Sequence, residues 1–160
     1  MSNMKYYAGI GSRDTPIPVL SNMSDLARKL HVLDWTLRSG GAQGADQAFE
    51  SGVYANKQIF RPADCTQAAM DLSSEYHPNW PACSPYVRKL HGRNAQILLG
   101  GNLDTPVKCV VCWTSDGKAT GGTGQAIRMA EAYQIPVFNL YRIDYRNDGD
   151  FLLDTITNLS

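Results

Sequence analysis

Three times along this chain a short apolar run breaks into glycines and is followed by residues at helical spacing, and no other feature constrains the fold as much. The first break is Gly9-Ile10-Gly11-Ser12-Arg13, ending the run that starts at Lys5. The second is Ser39-Gly40-Gly41-Ala42-Gln43-Gly44-Ala45-Asp46, after Trp35 to Leu37. The third is Gly121-Gly122-Thr123-Gly124, beyond the strongly β-like run Val107 to Trp113. Short apolar runs bounded by glycine read as buried strands, and recurrence every three to four residues reads as an amphipathic helix.

Thr15-Pro16-Ile17-Pro18 opens a helix in which Val19, Leu20, Met23, Leu26, Ala27 and Leu30 share a face, ending near Leu33. Ala45, Ala48, Phe49 and Val53 repeat this after the second turn, and Lys57 to Phe60 gives a third strand stopped by Arg61-Pro62. Cys65 to Ser73 reads as a short helix. Ser74 to Pro85, with His77-Pro78-Asn79-Trp80-Pro81 inside it, reads as an ordered loop placed to cover a site. A helix resumes from Tyr86 through Val87, Leu90, Ala95, Ile97 and Leu98. After the third turn Ala126, Ile127, Ala130 and Tyr133 mark another, and Ile135 to Leu140 is the last strand. Asp150 is expected to cap a final helix holding Phe151, Leu152 and Ile156, behind a polar, mobile link from Arg142 to Gly149.

This alternation predicts an α/β fold: a doubly wound, Rossmann-like parallel sheet with helices on both faces, forming a single domain over residues 1–160. Ligands of such sheets settle at the carboxyl ends of the strands, the edge on which all three glycine turns fall. Helix-start amides lack internal partners and carry roughly half a positive charge, and glycine lets backbone approach an anion closely. The expected guest is therefore a phosphate-bearing, nucleotide-type molecule.

Charge says how that guest is held. Fifteen Lys and Arg balance fifteen Asp and Glu, so no overall field draws the chain to nucleic acid or to a membrane, and phosphate recognition has to be local. The start Met1-Ser2-Asn3-Met4-Lys5 shows no signal-peptide pattern, and a cytoplasmic location is expected. Cys109 and Cys112 form a C-x-x-C, but on a strand residues three apart point to opposite faces. Cys65 and Cys83 supply no second half-site, so the cysteines read as reduced fillers, with no metal and no cofactor.

The three turns together resemble the SLOG superfamily, over about Lys5 to Leu140. Gly11-Ser12-Arg13 is similar to the first-strand G-S-R of its Smf (DNA-processing protein A) branch, Ser39 to Asp46 to that branch's S-G-x-A-x-G-x-D turn, and Arg93-Asn94 to its R-N pair. The compact members that phages carry are nearest in appearance, which would put the chain in a host cytoplasm. The resemblance implies a nucleotide pocket and a homo-oligomer. The LOG branch, whose members release a base from nucleoside monophosphates, carries P-G-G-x-G-T-x-x-E. Here Thr120 stands at the proline, Gln125 at the threonine, and Ile127 or Arg128 at the acid.

The predicted ligand-binding residues are Gly9, Gly11, Ser12, Arg13, Ser39, Gly40, Gly41, Ala42, Gly44, Asp46, Trp80, Arg93, Asn94, Gly121, Gly122, Thr123, Gly124 and Gln125. Ser12 and Arg13 suit a phosphate grip, and Asp46 either a ribose hydroxyl or a turn cap. Trp80 suits base stacking, and Arg128 is expected to face outward. Without the LOG acid the favoured reading is a sensor or sequestering protein for a nucleotide-derived small molecule, NAD-derived and cyclic signalling nucleotides among the candidates. One alternative is an N-glycosidic hydrolase or transferase using Asp46 or Glu50. The other is a single-stranded DNA mediator, which zero net charge disfavours and to which Arg13, Arg61, Arg88, Lys89 and Arg93 would give a local patch.

Overall fold

Apolar runs flanked by turns become short strands here, and the computed structural model, which describes residues 4–160, joins five of them into one parallel sheet. They are β1 (Tyr6–Gly9), β2 (Thr36–Ser39), β3 (Lys57–Ile59), β4 (Cys109–Cys112) and β5 (Val137–Asn139). Spatial order is β3-β2-β1-β4-β5, with Tyr7 beside Leu37 on one side and Cys109 on the other. Six α-helices flank the sheet: α1 (Ile17–Val32), α2 (Ala45–Ser51), α3 (Gln67–Ser74), α4 (Pro85–Leu99), α5 (Gly121–Ala132) and α6 (Tyr145–Thr157). The doubly wound α/β expectation holds. Residues 1–3, part of the segment on which the expectation of no signal peptide rests, lie outside the described residues. No helix among the described residues is long and apolar enough to cross a membrane.

The core is split by the sheet into two apolar layers. Met23, Leu26 and Leu30 of α1, Phe49 of α2, and Leu152 and Ile156 of α6 pack on one face with Cys109 and Val111. Ala95, Ile97 and Leu98 of α4 and Ala126, Ile127 and Ala130 of α5 pack on the other with Val110 and Cys112. The two cysteines of the C-x-x-C thus lie in opposite layers, free and fully buried, and burial pushes both thiols up to about 12. Residues alternate across a strand, so this pair cannot close on itself.

Chain order reverses between β1 and β4, and the connections leaving their carboxyl ends diverge and open a crevice there. Two expectations about the last quarter of the chain are corrected. The final helix starts at Tyr145, with Asp144 at its N-terminal boundary, so Asp150 lies inside it and the link from Arg142 ends at Asp144 rather than Gly149. Loop-like composition at Asn147-Asp148-Gly149 is overridden by tertiary contacts. The Tyr145 hydroxyl donates to Asp25 Oδ2 at 2.8 Å, and Gly149 lets the helix close around the Tyr145 ring.

Candidate functional site

A cleft of about 730 Å³ occupies the crevice between the β1 and β4 connections. Its floor is the first glycine turn, Ile10 to Asp14, and its far wall is the loop after β4 with the start of α5. Val87, Leu90, His91, Arg93 and Asn94 of α4 close a third side, and His77 reaches in from the loop before α4. Asn139 fixes the β4 loop from the neighbouring strand, accepting from the Thr114 amide at 3.3 Å and donating to its hydroxyl at 2.8 Å.

Ten of the predicted ligand-binding residues line this cleft: Gly11, Ser12, Arg13, Ala42, Asp46, Arg93, Asn94, Gly121, Gly122 and Thr123. The others surround it without lining it. Gly9 leaves room for the Phe49 ring, and the buried Ser39 hydroxyl donates to the Gly9 carbonyl at 2.6 Å, tying the end of β2 to that of β1. Gly40 is closed in by Arg93 and Asp46, Gly41 faces Arg61, and Gly124 packs on the Ala119 backbone. Gly44 adopts φ +87° against the backbone of Ser12 and Arg13, a conformation that L side chains rarely adopt and that joins the first two turns. Trp80 sits behind His77, edge-on to it, with the Arg88 guanidinium 5.5 Å from its ring centre.

At the third turn two expectations change places. Gln125 points inward, its Nε2 donating to the Ser73 carbonyl at 3.0 Å. Arg128 lines the cleft rather than facing outward, held by the Ala119 carbonyl at 3.3 Å and by Gln125 Oε1 at 3.0 Å. Gln125 thus acts as the rest for Arg128, one turn further along the helix. The start of α5 itself has no lid. Gly121 takes φ +66°, Thr120 makes no side-chain cap, the first turn holds no acidic residue, and the space beyond Gly121 and Gly122 is empty. The Thr120 hydroxyl is turned away, donating to Asp116 Oδ1 at 3.0 Å.

Electrostatics favour an anion. Arg13 is exposed and makes no ion pair among the described residues, leaving its guanidinium free at the cleft floor. Arg93 is buried, and burial draws its pKa down; Asp46 opposes that, while Arg61 and Arg13 add to it, so three guanidinium groups share one region. Asp46 is their counter-charge. Burial pushes its carboxyl up to about 6, against the pull of Arg93 and of the Ala42, Gly40 and Gly11 amides. Its carboxylate therefore serves the first two turns as an acceptor as well as facing the cleft. Glu50, the other candidate acid, lies in a separate hollow with Gly41 and Arg61 and pairs with Lys57 at 3.1 Å.

Two residues of the cleft region stand out far more in the fold than in the sequence. His91 is buried, and burial, with His77 and Arg128 nearby, brings its imidazole down to about 4. Its ring centre lies 4.9 Å from that of His77. Cys83 adds its sulphur 3.5 Å from His77 Nε2, so a residue read as an isolated filler joins a His-Cys-His group. The spacing His77, Cys83, His91 in a proline-bearing loop leading into a helix was the available signal.

No protein-family model and no curated protein sequence matches the chain. Among solved structures, it is similar to DNA processing protein A from Helicobacter pylori, described for a unique single-stranded DNA binding mode, with a TM-score of 0.64. The match covers 98% of this chain and 82% of that one at 15% sequence identity, so the likeness is one of fold. The chain has a fold like that of DNA processing protein A.

Proposed function

We propose that the cleft seats one phosphate-bearing nucleotide unit of a single-stranded nucleic acid, its phosphate on the open start of α5 and its charge met by Arg13 and Arg128. The uncapped first turn of this 12-residue helix, facing empty space across from Arg13, carries the reading. Such a helix start offers free amides and about half a positive charge, the ordinary setting for a phosphate. Fold likeness to a protein described as binding single-stranded DNA favours a strand as the bearer of that phosphate, as does the motif resemblance to the Smf branch of the SLOG superfamily. Arg61, in the adjoining hollow and close enough for its charge to be felt at Arg93, would meet a neighbouring phosphate. Zero net charge keeps the attraction local.

A free nucleotide-derived molecule is the second reading, supported by a cleft volume within the range of small-ligand sites. Competition separates the two. A fluorescent single-stranded oligonucleotide is bound at low salt and challenged with mononucleotides, dinucleotides and unlabelled strand. The strand reading expects saturable binding, displaced by unlabelled strand at far lower concentration than by any mononucleotide. Failure to bind the oligonucleotide, with thermal stabilisation by a small nucleotide, would replace it by the second reading.

A further inference from the structure

We propose that His77, Cys83 and His91 form a binding site for a divalent transition-metal ion, Zn²⁺ by the chemistry of its donors. One ring nitrogen of each histidine and the Cys83 sulphur all lie within 4.8 Å of one another. Zinc–nitrogen and zinc–sulphur bonds of about 2.05 and 2.3 Å set a nitrogen–sulphur edge of about 3.6 Å in a tetrahedron. His77 Nε2 and Cys83 Sγ stand 3.5 Å apart, so this edge of the polyhedron is already formed. Two imidazoles and a thiolate suit zinc and cobalt and are poor ligands for magnesium or calcium, which take oxygen.

The fold builds this group from the loop before α4 and from α4 itself. The 3₁₀ turn Trp80–Ala82 brings Cys83 back towards His77, and α4 supplies His91, tilted against the His77 ring. His91 is 6% exposed, and its Nδ1 is buried without a hydrogen-bond partner among the described residues. Buried polar atoms nearly always have partners, and a bound ion is one way such an atom is satisfied. Trp80 packs against both rings and shields the group from one side.

Loading is balanced in protons. His77 Nδ1 accepts from the Asn79 amide at 3.0 Å, which leaves the ring proton on Nε2, facing the sulphur. Binding through Nε2 moves that proton to Nδ1, gives up the Asn79 bond, and expels the Cys83 thiol proton to solvent: one proton released per ion. Three protein donors leave a coordination position open, the arrangement of zinc sites that take an outside oxygen. Both histidines line the cleft, so that oxygen can belong to a bound phosphate. Only this last point rests on the proposed nucleotide reading.

The test uses the full chain, stripped of metal by chelator and titrated with Co²⁺ without any nucleotide. A single equivalent should produce visible bands of a tetrahedral ion together with near-ultraviolet thiolate-to-cobalt charge transfer, and Zn²⁺ should abolish both. Cys83→Ser should remove the charge transfer, and both it and His77→Ala should weaken Zn²⁺ binding by more than about tenfold. Cys65→Ser should leave everything unchanged, and melting curves confirm that each variant is folded. Absence of charge transfer at one equivalent, or its survival in Cys83→Ser, overturns the proposal. Neither result bears on oligonucleotide binding, so the two readings fail separately.

Discussion

Arg93 of α4 donates Nη1 to the carbonyl of Gly40 at 2.8 Å, across 53 residues of sequence, and so fastens the second glycine turn to the helix that walls the cleft. The same nitrogen also reaches the Phe60 carbonyl at 3.3 Å, and Nε is occupied by Asn94 Oδ1 at 2.9 Å. Arg93 is thereby a positioning residue whose charge is still felt in the cleft.

Replacing it tests that role. Arg93→Met removes those hydrogen bonds and strands two carbonyls in a buried setting, at a cost of about 3 kcal/mol. Urea unfolding should show the loss. A variant as stable as the parent would mean that the second turn holds its shape without the arginine.

Asp46 sets a pH dependence of known sign. Its carboxyl is raised in the folded chain from the ordinary 3.8 to about 6, so its contribution to stability is fully present below about 3.8 and is lost as pH rises through about 6. The loss is on the order of 3 kcal/mol. In Asp46→Asn no such titration remains. The difference in unfolding free energy between parent and variant should therefore shift against the parent from about pH 4 to about pH 7 and then level off. A difference that is flat across this range would show that the charged carboxylate is accommodated without penalty.

Gly122 separates folding from binding. Outside its own helix turn, nothing stands within 4 Å of where its Cβ would sit, and the first turn of α5 lacks an acid. Gly122→Asp should raise stability by roughly 0.3–1 kcal/mol through the helix dipole, while placing negative charge where the phosphate is proposed to sit. A thermal melt reads the first effect. A lower melting temperature would indicate that the turn cannot accept a side chain after all.

Arg13 and Arg128 should contribute to binding by charge. Arg13→Ala is expected to leave stability within about 0.5 kcal/mol, since the side chain is exposed and unpaired among the described residues. For each phosphate that no longer meets a guanidinium, the slope of log affinity against log salt should become shallower by about 0.7 for a single strand. An unchanged slope in both single variants would remove these two groups from the interface.

Much of this fold is legible in the sequence because glycine turns follow three of the five apolar runs that become strands. Val107 to Trp113 marks β4, and Gly121 marks the start of α5. Where the sequence misleads, long-range contacts decide. Asp144 to Gly149 has loop composition, yet Tyr145 anchors it to α1 through Asp25 and the helix begins early. Arg38 looks out of place in a buried strand, and it is held there by Gln58, by both oxygens of Thr105 and by the face of Tyr6.

The site divides the same way. Backbone features of the turns can be read locally, because a glycine's position after a strand largely dictates where it lies. Side-chain direction cannot: helical spacing alone does not say that Gln125 turns in to Ser73 and holds Arg128 at the cleft. Nor does it say that Cys83 meets His91, since their meeting depends on how the loop before α4 folds back.

If the start of α5 holds a phosphate of single-stranded nucleic acid, as proposed, a negative charge placed there must weaken strand binding. Fluorescence anisotropy of a labelled single-stranded oligonucleotide is recorded at low salt against the parent chain and against Gly122→Asp, each shown to be folded. Saturable binding to the parent is expected, with affinity weakened by more than about tenfold, or 1.4 kcal/mol, in the variant. Equal affinity for both chains, or no anisotropy change with either, would contradict it.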